Sequence, residues 1–209
     1  MKILHIAASP KSQDANAWWL AQRIIARLAD GHVAVELTVR DLHATPVAHI
    51  DAEYADALAA PAEPEEQPSA GSSRALSEQL INEVEAADCL VIGTPMHNYT
   101  VPSSLKAWID HVVRVRRTFS ITPNGKVGLL RDRPVYVGVV AGGGLNGARA
   151  RQPDFLRPYL KVALATIGLH DLRFFTMERL ASGAQAVLAE RERVMATLGP
   201  CDFFLKKIS

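Results

Sequence analysis

Three segments of this sequence carry residues suited to binding a phosphate or a flat ring, and the first is residues 9–17. It links an apolar run to a helical pattern, so the free N–H groups and the positive end of that helix converge on one point, as phosphate binding requires. Ser9 and Ser12 offer hydroxyl groups there, and Asn16 offers an amide. The alternative is that Ser12 or Asp14 only caps the helix. The segment has neither the G-x-G-x-x-G dinucleotide fingerprint nor a Walker lysine.

The second segment, residues 94–102, has a proline near each end that fixes its entry and its exit. Between the prolines, Met96, His97 and Tyr99 can lie against a planar heterocycle, and Asn98 can both donate and accept hydrogen bonds. The alternative is a rigid connection whose aromatic residues belong to the core. His97 also suggests a general base, although a lone loop histidine is more often a packing or surface group.

The third segment, residues 141–147, reads Ala-Gly-Gly-Gly-Leu-Asn-Gly. Glycines let the backbone approach a flat ligand closely, and their N–H groups can donate to a ring carbonyl. The alternative is an ordinary flexible turn. The position of this run directly after a predicted strand favours the binding interpretation.

The elements that must position these segments alternate along the chain. Apolar or alternating runs predict five strands, at residues 2–8, 33–39, 89–93, 134–141 and 171–177. Apolar residues at helical spacing predict five helices, at residues 15–28, 73–86, 103–117, 154–167 and 184–198. This order implies an α/β fold with a doubly wound five-stranded parallel sheet and right-handed crossovers. Ligands of such sheets bind outside the carboxyl ends of the strands, where all three segments lie.

Residues 1–209 are predicted to form a single domain, with one irregular excursion at residues 41–71. Four prolines interrupt this excursion, and at most a helical turn or two is expected at residues 51–59. An excursion of this length either covers something or is mobile.

Composition excludes several function classes. Lys plus Arg (23) nearly balances Asp plus Glu (22), so neither a nucleic acid nor an anionic membrane is an expected partner. The first apolar run is too short for a signal peptide, and no run approaches the roughly 20 apolar residues of a membrane span. Of the two cysteines, Cys89 lies in an apolar run and is interpreted as a buried thiol. These features predict a cytoplasmic protein, and no metal site is predicted.

The second segment and the helix that follows it resemble a known family. Pro95-Met96-His97-Asn98-Tyr99, then Pro102 and Leu105-Lys106-Ala107-Trp108-Ile109-Asp110, is similar to the PMYNF…P..LK.W.D signature of the FMN-dependent NADH-azoreductases. These are flavodoxin-like NAD(P)H quinone oxidoreductases, once labelled acyl-carrier-protein phosphodiesterases. Residues 9–11, 38–42, 119, 122–125 and 128–129 and the glycine run also match, so the resemblance covers nearly the whole chain in order.

The resemblance implies a flavodoxin-like fold and a homodimer with the flavin near the subunit interface. It also implies ping-pong transfer of two electrons from NAD(P)H to quinones or azo compounds. The residues it implies for binding FMN are Ser9, Lys11, Ala15, Asn16, Ala17, Pro95, Met96, His97, Asn98, Tyr99, Ala141, Gly142, Gly143 and Gly144. The implied substrate pocket consists of Phe119, Asn98 and Gly143, with Phe119 available from the partner subunit. No catalytic acid or base is assigned, because the flavin carries the chemistry.

This chain departs from the family pattern at three places. Family members usually have serines at the positions of Ala15 and Ala17, where hydroxyl groups hold the FMN phosphate. His97 replaces the usual tyrosine, and Val140-Ala141 replaces a Ser-Arg pair before the glycines. FMN is therefore expected to bind more weakly than in relatives with both serines.

Two other function classes stay open, a flavin-binding electron carrier and a degenerate flavodoxin-like scaffold without turnover. The net charge of +1 argues against the carrier, because flavodoxins are usually strongly acidic. A homodimer is also suggested by large residues on the third and fourth predicted helices, which exceed what one sheet face needs. These residues are Trp108, Val112, Val113, Phe155, Leu156, Tyr159 and Leu160.

Overall fold

Strands and helices alternate in the computed structural model, which describes residues 1–30, 32–60, 68–147, 150 and 152–198. In chain order the elements are β1 (Lys2–Ala7), α1 (Asn16–Ala29), β2 (Glu36–Asp41), α2 (Ala52–Ala59), α3 (Ser73–Ala86), β3 (Cys89–Pro95), α4 (Ser103–Val112), β4 (Phe119–Thr122), β5 (Gly125–Gly128), β6 (Val135–Val140), α5 (Leu156–Thr166), β7 (Leu172–Met177) and α6 (Ala184–Thr197). Short 3₁₀ turns at Ser12–Asp14 and Leu180–Ser182 precede α1 and α6. Cys201 lies outside the described residues.

The five predicted strands form one parallel sheet in the spatial order β2-β1-β3-β6-β7. β3 and β6 are buried almost throughout, as strands covered on both faces must be, and this explains their continuous apolar sequence. The chain winds outward from β1 first to one edge and then to the other, which places the switch point between β1 and β3. The predicted doubly wound fold is confirmed.

Helices cover both faces of the sheet. On one face, α1 and α6 share a buried cluster with alternate strand residues such as Ile3 and Val91. On the other face, α3, α4 and α5 share a second cluster with the intervening residues, such as Leu4 and Ile92. The two clusters follow from the period-two alternation of side chains along each strand. Within the described ranges, no helix is long and apolar enough to cross a membrane.

The helix predicted over residues 103–117 ends five residues early, at Val112. The Thr118 hydroxyl donates to the carbonyl of Val112 at 2.6 Å and accepts from the N–H of Arg114 at 2.9 Å. Arg116 then adopts a φ of 66°. The prediction was wrong here because the hydroxyl of Thr118 replaces the next helical hydrogen bonds and turns the chain.

An antiparallel hairpin of β4 and β5 follows this turn, closed by the two residues Pro123-Asn124. Gly125 has a φ of 112°, a conformation that glycine adopts without a Cβ penalty. The sequence indicated a hairpin-like turn at this place but not two strands outside the main sheet.

The edge strand β2 begins three residues later than predicted, at Glu36. Val33 is fully exposed, and Leu37 and Val39 remain partly exposed. Their alternation resembled a half-buried strand, but only β1 pairs with β2 among the described strands, so the core covers little of it.

The excursion contains the predicted helical turns as α2. The carboxylate of Asp51 caps this helix by accepting from the N–H of Tyr54 at 2.8 Å. Tyr54 is buried, and its hydroxyl lies 3.4 Å from that of Ser77. Arg116 closes the other end of α2 by donating to the carbonyl of Ala57 at 2.6 Å. Residues 61–67 of the excursion lie outside the described part of the chain.

More of the apolar residues of α4 and α5 belong to the chain's own core than the sequence predicted. Trp108, Val112, Leu156 and Leu160 are almost completely buried in this one chain. Val113 and Tyr159 are half-buried, and Phe155 is 60% exposed. Only part of the predicted surplus is therefore available to another molecule.

Candidate functional site

The three candidate segments lie at one edge of the sheet, because β1, β3 and β6 are neighbouring parallel strands. Backbone hydrogen bonds join the strand ends from which the segments leave. Ala8 donates to Gly93 at 2.9 Å, and Met96 donates to Val140 at 2.8 Å. The structure therefore brings together the loops after β1, β3 and β6 at the switch point, where doubly wound sheets bind ligands.

The loop after β1 is a tight turn with its hydroxyl groups already engaged. The buried Ser9 accepts from the N–H of Lys11 at 3.4 Å, whereas Lys11 itself is exposed. Ser12, with a φ of 43°, donates its hydroxyl to Asp41 Oδ2 at 2.8 Å. Partial burial of Asp41 favours the protonated acid, but two backbone N–H groups and this hydroxyl outweigh it and lower the Asp41 pKa. Ser12 thus supports the loop and does not cap α1.

The helix that follows this loop begins without a capping side chain. Its N-cap is Ala15, and the N–H groups of Asn16, Ala17 and Trp18 have no partner among the described residues. The first turn contains no acidic residue. Free N–H groups at the positive end of a 14-residue helix are suited to binding an anion.

Tight packing fixes where this helix end lies. A Cβ on Gly93 would come within 2.8 Å of the carbonyl oxygen of Ala17, so only glycine lets α1 sit directly on β3. The methyl group of Ala17 is 0% exposed and belongs to the core cluster of this face, and Ala15 is also buried. The two positions at which family members have serines therefore face mainly protein.

The loop after β3 forms a β-turn in which His97 and Thr100 exchange two backbone hydrogen bonds of 3.0 Å. Asn98 and Tyr99 both have positive φ, 46° and 72°, as in a type I′ turn. Asparagine tolerates this conformation, but tyrosine adopts it at a cost of about 1–2 kcal/mol. Tyr99 is nevertheless 49% exposed, so the alternative that the aromatic residues belong to the core does not hold.

The glycine loop after β6 directs its carbonyl groups to one side. The carbonyls of Ala141, Gly142 and Gly143 accept from the three backbone N–H groups of residues 179–181. The N–H groups of Gly142, Gly143 and Gly144 have no hydrogen-bond partner in the described part of the chain. They are thus available to donate to a ligand.

Sequence reasoning missed two side chains that hold these loops. Gln152 donates to the sulfur of Met96 at 3.2 Å, and a Cβ on Gly143 would collide with its amide oxygen. Glu178 accepts from the N–H groups of Leu145 at 2.6 Å and Asn146 at 3.2 Å and from the Asn146 side chain. The only sequence signal was a polar residue just outside a predicted helix or strand, which many surface residues share.

Within one chain, Phe119 does not lie beside the other candidate residues. It is buried in the core beneath the hairpin, with Lys126 Nζ 5.1 Å from its ring centroid. The residues after the hairpin bond to the last turn of α5, where Leu130 donates to Ile167 at 3.1 Å. That turn lies at the amino edge of the sheet, because it directly precedes the start of β7. A role for Phe119 in the substrate pocket therefore stays a prediction that needs a second copy.

A separate groove of about 560 Å³ lies at the amino edge, between the starts of β1 and β2 and the face of α3. Two of its carboxylates already have arginine partners: Glu83 pairs with Arg40, and Glu78 with Arg114 at 2.5 Å. This groove is remote from the three loops and offers neither of these charges for a ligand.

Comparisons with known proteins agree with this geometry. A family model described as a flavodoxin-like fold matches residues 1–198. FMN-dependent NADH:quinone oxidoreductase 4 of Pseudomonas fluorescens is 46% identical over 196 residues, which cover 94% of this chain and 93% of that protein. FMN-dependent NADH:quinone oxidoreductase 2 of Cupriavidus pinatubonensis is 44% identical, with 95% and 96% covered.

Solved structures of azoreductases share the fold at lower identity. An azoreductase named AzrA superimposes with a TM-score of 0.79 at 20% identity, covering 96% of this chain and all of the other. An FMN-dependent NADH-azoreductase from Bacillus anthracis, in complex with FMN, superimposes with a TM-score of 0.77 at 21% identity, covering 94% and 97%.

Proposed function

We propose, from the premise that this chain belongs to the flavodoxin-like fold family, that it is an FMN-dependent enzyme transferring two electrons from NAD(P)H to quinones or azo compounds. The observation that carries the proposal is the meeting of three strand-end loops. At two separate places in these loops, backbone N–H groups have no partner among the described residues. The names of the quinone oxidoreductase relatives support the choice of reaction.

The loop after β1 and the start of α1 fit the phosphate of FMN. A terminal phosphate is a dianion, and the free N–H groups of Asn16, Ala17 and Trp18 at the positive helix end suit it. Ser9 and Lys11 complete the loop around this point. A single helix end without a dinucleotide fingerprint favours FMN over FAD.

The other two loops fit the ring system. Pro95 to Tyr99 would form one wall, with the exposed side chains of the strained turn toward the substrate. Gly142 to Gly144 would donate N–H groups to the carbonyl edge of the ring, and Ala141, whose own N–H donates to the carbonyl of Met177 at 2.9 Å, would lie close to it. A side chain at position 143 would displace the amide of Gln152, which holds Met96 of the neighbouring loop.

FMN held by these loops would supply the redox chemistry for a ping-pong transfer of two electrons from NAD(P)H to the second substrate. The protein residues hold and orient the reactants. His97 is exposed and its ring makes no hydrogen bond within the described chain, so no acid–base role is assigned to it. Reduced nicotinamide as a substrate and the free, buried thiol of Cys89 support a cytoplasmic location.

The active unit is proposed to be a homodimer, with the second copy completing the acceptor pocket beside Asn98 and Gly143. Phe119 joins the pocket only from that copy. The exposed apolar side chain of Phe155 lies next to the site, since its N–H donates to the carbonyl of Tyr99 at 3.0 Å.

The test uses the purified chain reconstituted with FMN. We expect the visible absorption of bound flavin, oxidation of NADH that depends on a soluble benzoquinone, and bleaching of an azo dye. Bound flavin without NADH oxidation would identify an electron carrier, and failure to bind FMN would identify a scaffold.

A matched pair of variants locates the ring site. Gly142→Val adds a side chain that the fold itself accommodates, because a Cβ there meets only Ala181 at 3.5 Å. It should weaken binding of FMN and of riboflavin at least tenfold by occupying the space of the ring. Ala59→Val, a similar enlargement on exposed α2, should leave both affinities unchanged. Full flavin affinity in Gly142→Val would contradict the proposed ring position.

A further inference from the structure

An arginine from the last helix reaches the start of α1. Arg191 of α6 donates from a terminal nitrogen to Asn16 Oδ1 at 2.9 Å. Its guanidinium carbon lies 4.8 Å from the ring centroid of Trp19, and its Nε is buried and has no hydrogen-bond partner among the residues that the structure describes. Stacking on the indole therefore fixes the plane of the guanidinium beside Asn16.

This placement is electrostatically unfavourable in the protein alone. A cation stands at the positive end of a helix, whereas cations are normally favoured at the opposite end. No acidic residue occurs in the first turn of α1, and the preceding Asp14 is exposed with no side-chain hydrogen bond in the described chain. An anion bound at this helix end would relieve the repulsion.

The hydrogen bond also fixes which way the amide of Asn16 faces. A guanidinium carries only donors, so the group of Asn16 that meets Arg191 must be its carbonyl oxygen. The Nδ2 donor then faces away from Arg191, and it has no partner among the described residues. An oriented donor without a partner thus lies at the same helix end as three free N–H groups.

We infer that Arg191 is a positioning residue for the phosphate site: it locks the Asn16 amide so that Nδ2 donates to the phosphate of FMN. The inference rests on the proposed function, since it assigns this anion to FMN. Arg191 acts through Asn16, so its effect must depend on that residue and on the presence of the phosphate.

The experiment compares FMN with riboflavin, which lacks the phosphate, by titrating flavin fluorescence against the flavin-free protein. Arg191→Met should weaken FMN binding about tenfold or more, the scale of one hydrogen bond to a charged group, and leave riboflavin binding unchanged. Arg23→Met is the matched control, because Arg23 lies 5.5 Å from the same Trp19 ring and does not contact Asn16. It should leave both affinities unchanged.

A double-mutant cycle tests the route of the effect. If Arg191 acts through Asn16, Arg191→Met combined with Asn16→Ala should weaken FMN binding by much less than the product of the two single losses. Equal losses for FMN and riboflavin, an equal effect of Arg23→Met, or multiplicative losses would each overturn the inference. If the wild-type protein binds neither flavin, the proposed function itself fails. If the wild-type protein binds FMN and the Arg191→Met variant binds it equally well, only the role of Arg191 is overturned.

Discussion

Ala15 stands at the N-cap of α1, where serine, threonine, aspartate or asparagine would usually satisfy the helix. Its backbone has the extended φ and ψ of a capping residue, −81° and 145°, but its methyl group accepts nothing. The N–H groups of the first turn therefore stay available. We interpret the missing cap as a loss of stability that leaves these donors free for the phosphate.

Replacing this residue should separate stability from binding. Ala15→Asp places a carboxylate where it can accept from the free N–H groups, so the free energy of unfolding of the flavin-free protein should rise by about 1 kcal/mol. The same carboxylate would occupy the proposed phosphate position and repel the dianion, so FMN affinity should fall at least tenfold. Chemical denaturation and flavin titration measure the two effects.

Gln13→Asp provides the control for this substitution. It adds the same charge to the same loop, within the turn that precedes the N-cap, and position 13 is exposed. The free energy of unfolding of the Gln13→Asp variant should change little. Its loss of FMN affinity should be smaller than that of the Ala15→Asp variant. An Ala15→Asp protein that is stabilised but binds FMN normally would show that the phosphate does not lie at this helix end.

His5 makes the stability of the protein depend on pH. It is fully buried in β1 with its ring centroid 4.8 Å from that of Trp18, and burial lowers its pKa to about 4, against a weaker opposing effect of Asp41. In the unfolded chain the pKa of this histidine is near 6.5. As the pH falls from 6.5 towards 4, the unfolded chain therefore binds a proton that the folded protein does not bind, and acid favours unfolding. We expect the free energy of unfolding to decrease by about 2 kcal/mol between pH 7 and pH 5 from this group.

Urea denaturation at the two pH values measures this effect. His5→Leu, which cannot be protonated, should show a much smaller decrease, whereas His170→Asn at an exposed position should behave as the wild type. An equally steep decrease in His5→Leu would mean that other groups cause the acid sensitivity.

At the scale of elements, Glu178 connects the end of β7 to the glycine loop. Its carboxylate accepts three hydrogen bonds from Leu145 and Asn146, and its own N–H donates to Glu190 at 2.9 Å. Glu178→Gln removes the charge and one acceptor oxygen, so the loop should be held less firmly. Hydrogen bonds to charged groups contribute about 1.5–3 kcal/mol, which predicts at least tenfold weaker flavin binding.

This loss should be equal for FMN and riboflavin, because in the proposed orientation of the cofactor the glycine loop contacts the ring and not the phosphate. Flavin titration measures it, and Glu192→Gln on exposed α6 should have no effect. A loss confined to FMN would place the glycine loop at the phosphate and contradict the proposed orientation of the cofactor.

The sequence predicted the positions of these loops but not the contacts that shape them. Periodicity located every strand of the main sheet, and the topology then required the segments after β1, β3 and β6 to meet. Gln152, Glu178 and Arg191 escaped notice because each acts on a residue distant in sequence, so no local pattern marks it. The early end of α4 was missed for a related reason, since one hydroxyl of Thr118 outweighs the helical pattern of the preceding residues.

At the scale of the whole molecule, an apolar stripe on α5 remains exposed. Phe155 is 60% exposed and Val162 is 70% exposed, two helical turns apart, with half-buried Tyr159 between them. The stripe starts at the candidate site, where Phe155 bonds to Tyr99. A two-fold symmetric contact along α5 would cover it and bring a second copy to the edge of the site.

We therefore expect light scattering to give twice the 22.7 kDa mass of one chain at micromolar concentration. Val162→Glu places a charge at the most exposed residue of the stripe and should shift the protein to the single-chain mass and reduce quinone turnover. Val33→Glu makes the same change at a fully exposed valine outside the stripe and should remain a dimer. A single-chain mass for wild-type protein that still reduces quinone would exclude the dimer, whereas a dimeric Val162→Glu protein would place the interface elsewhere.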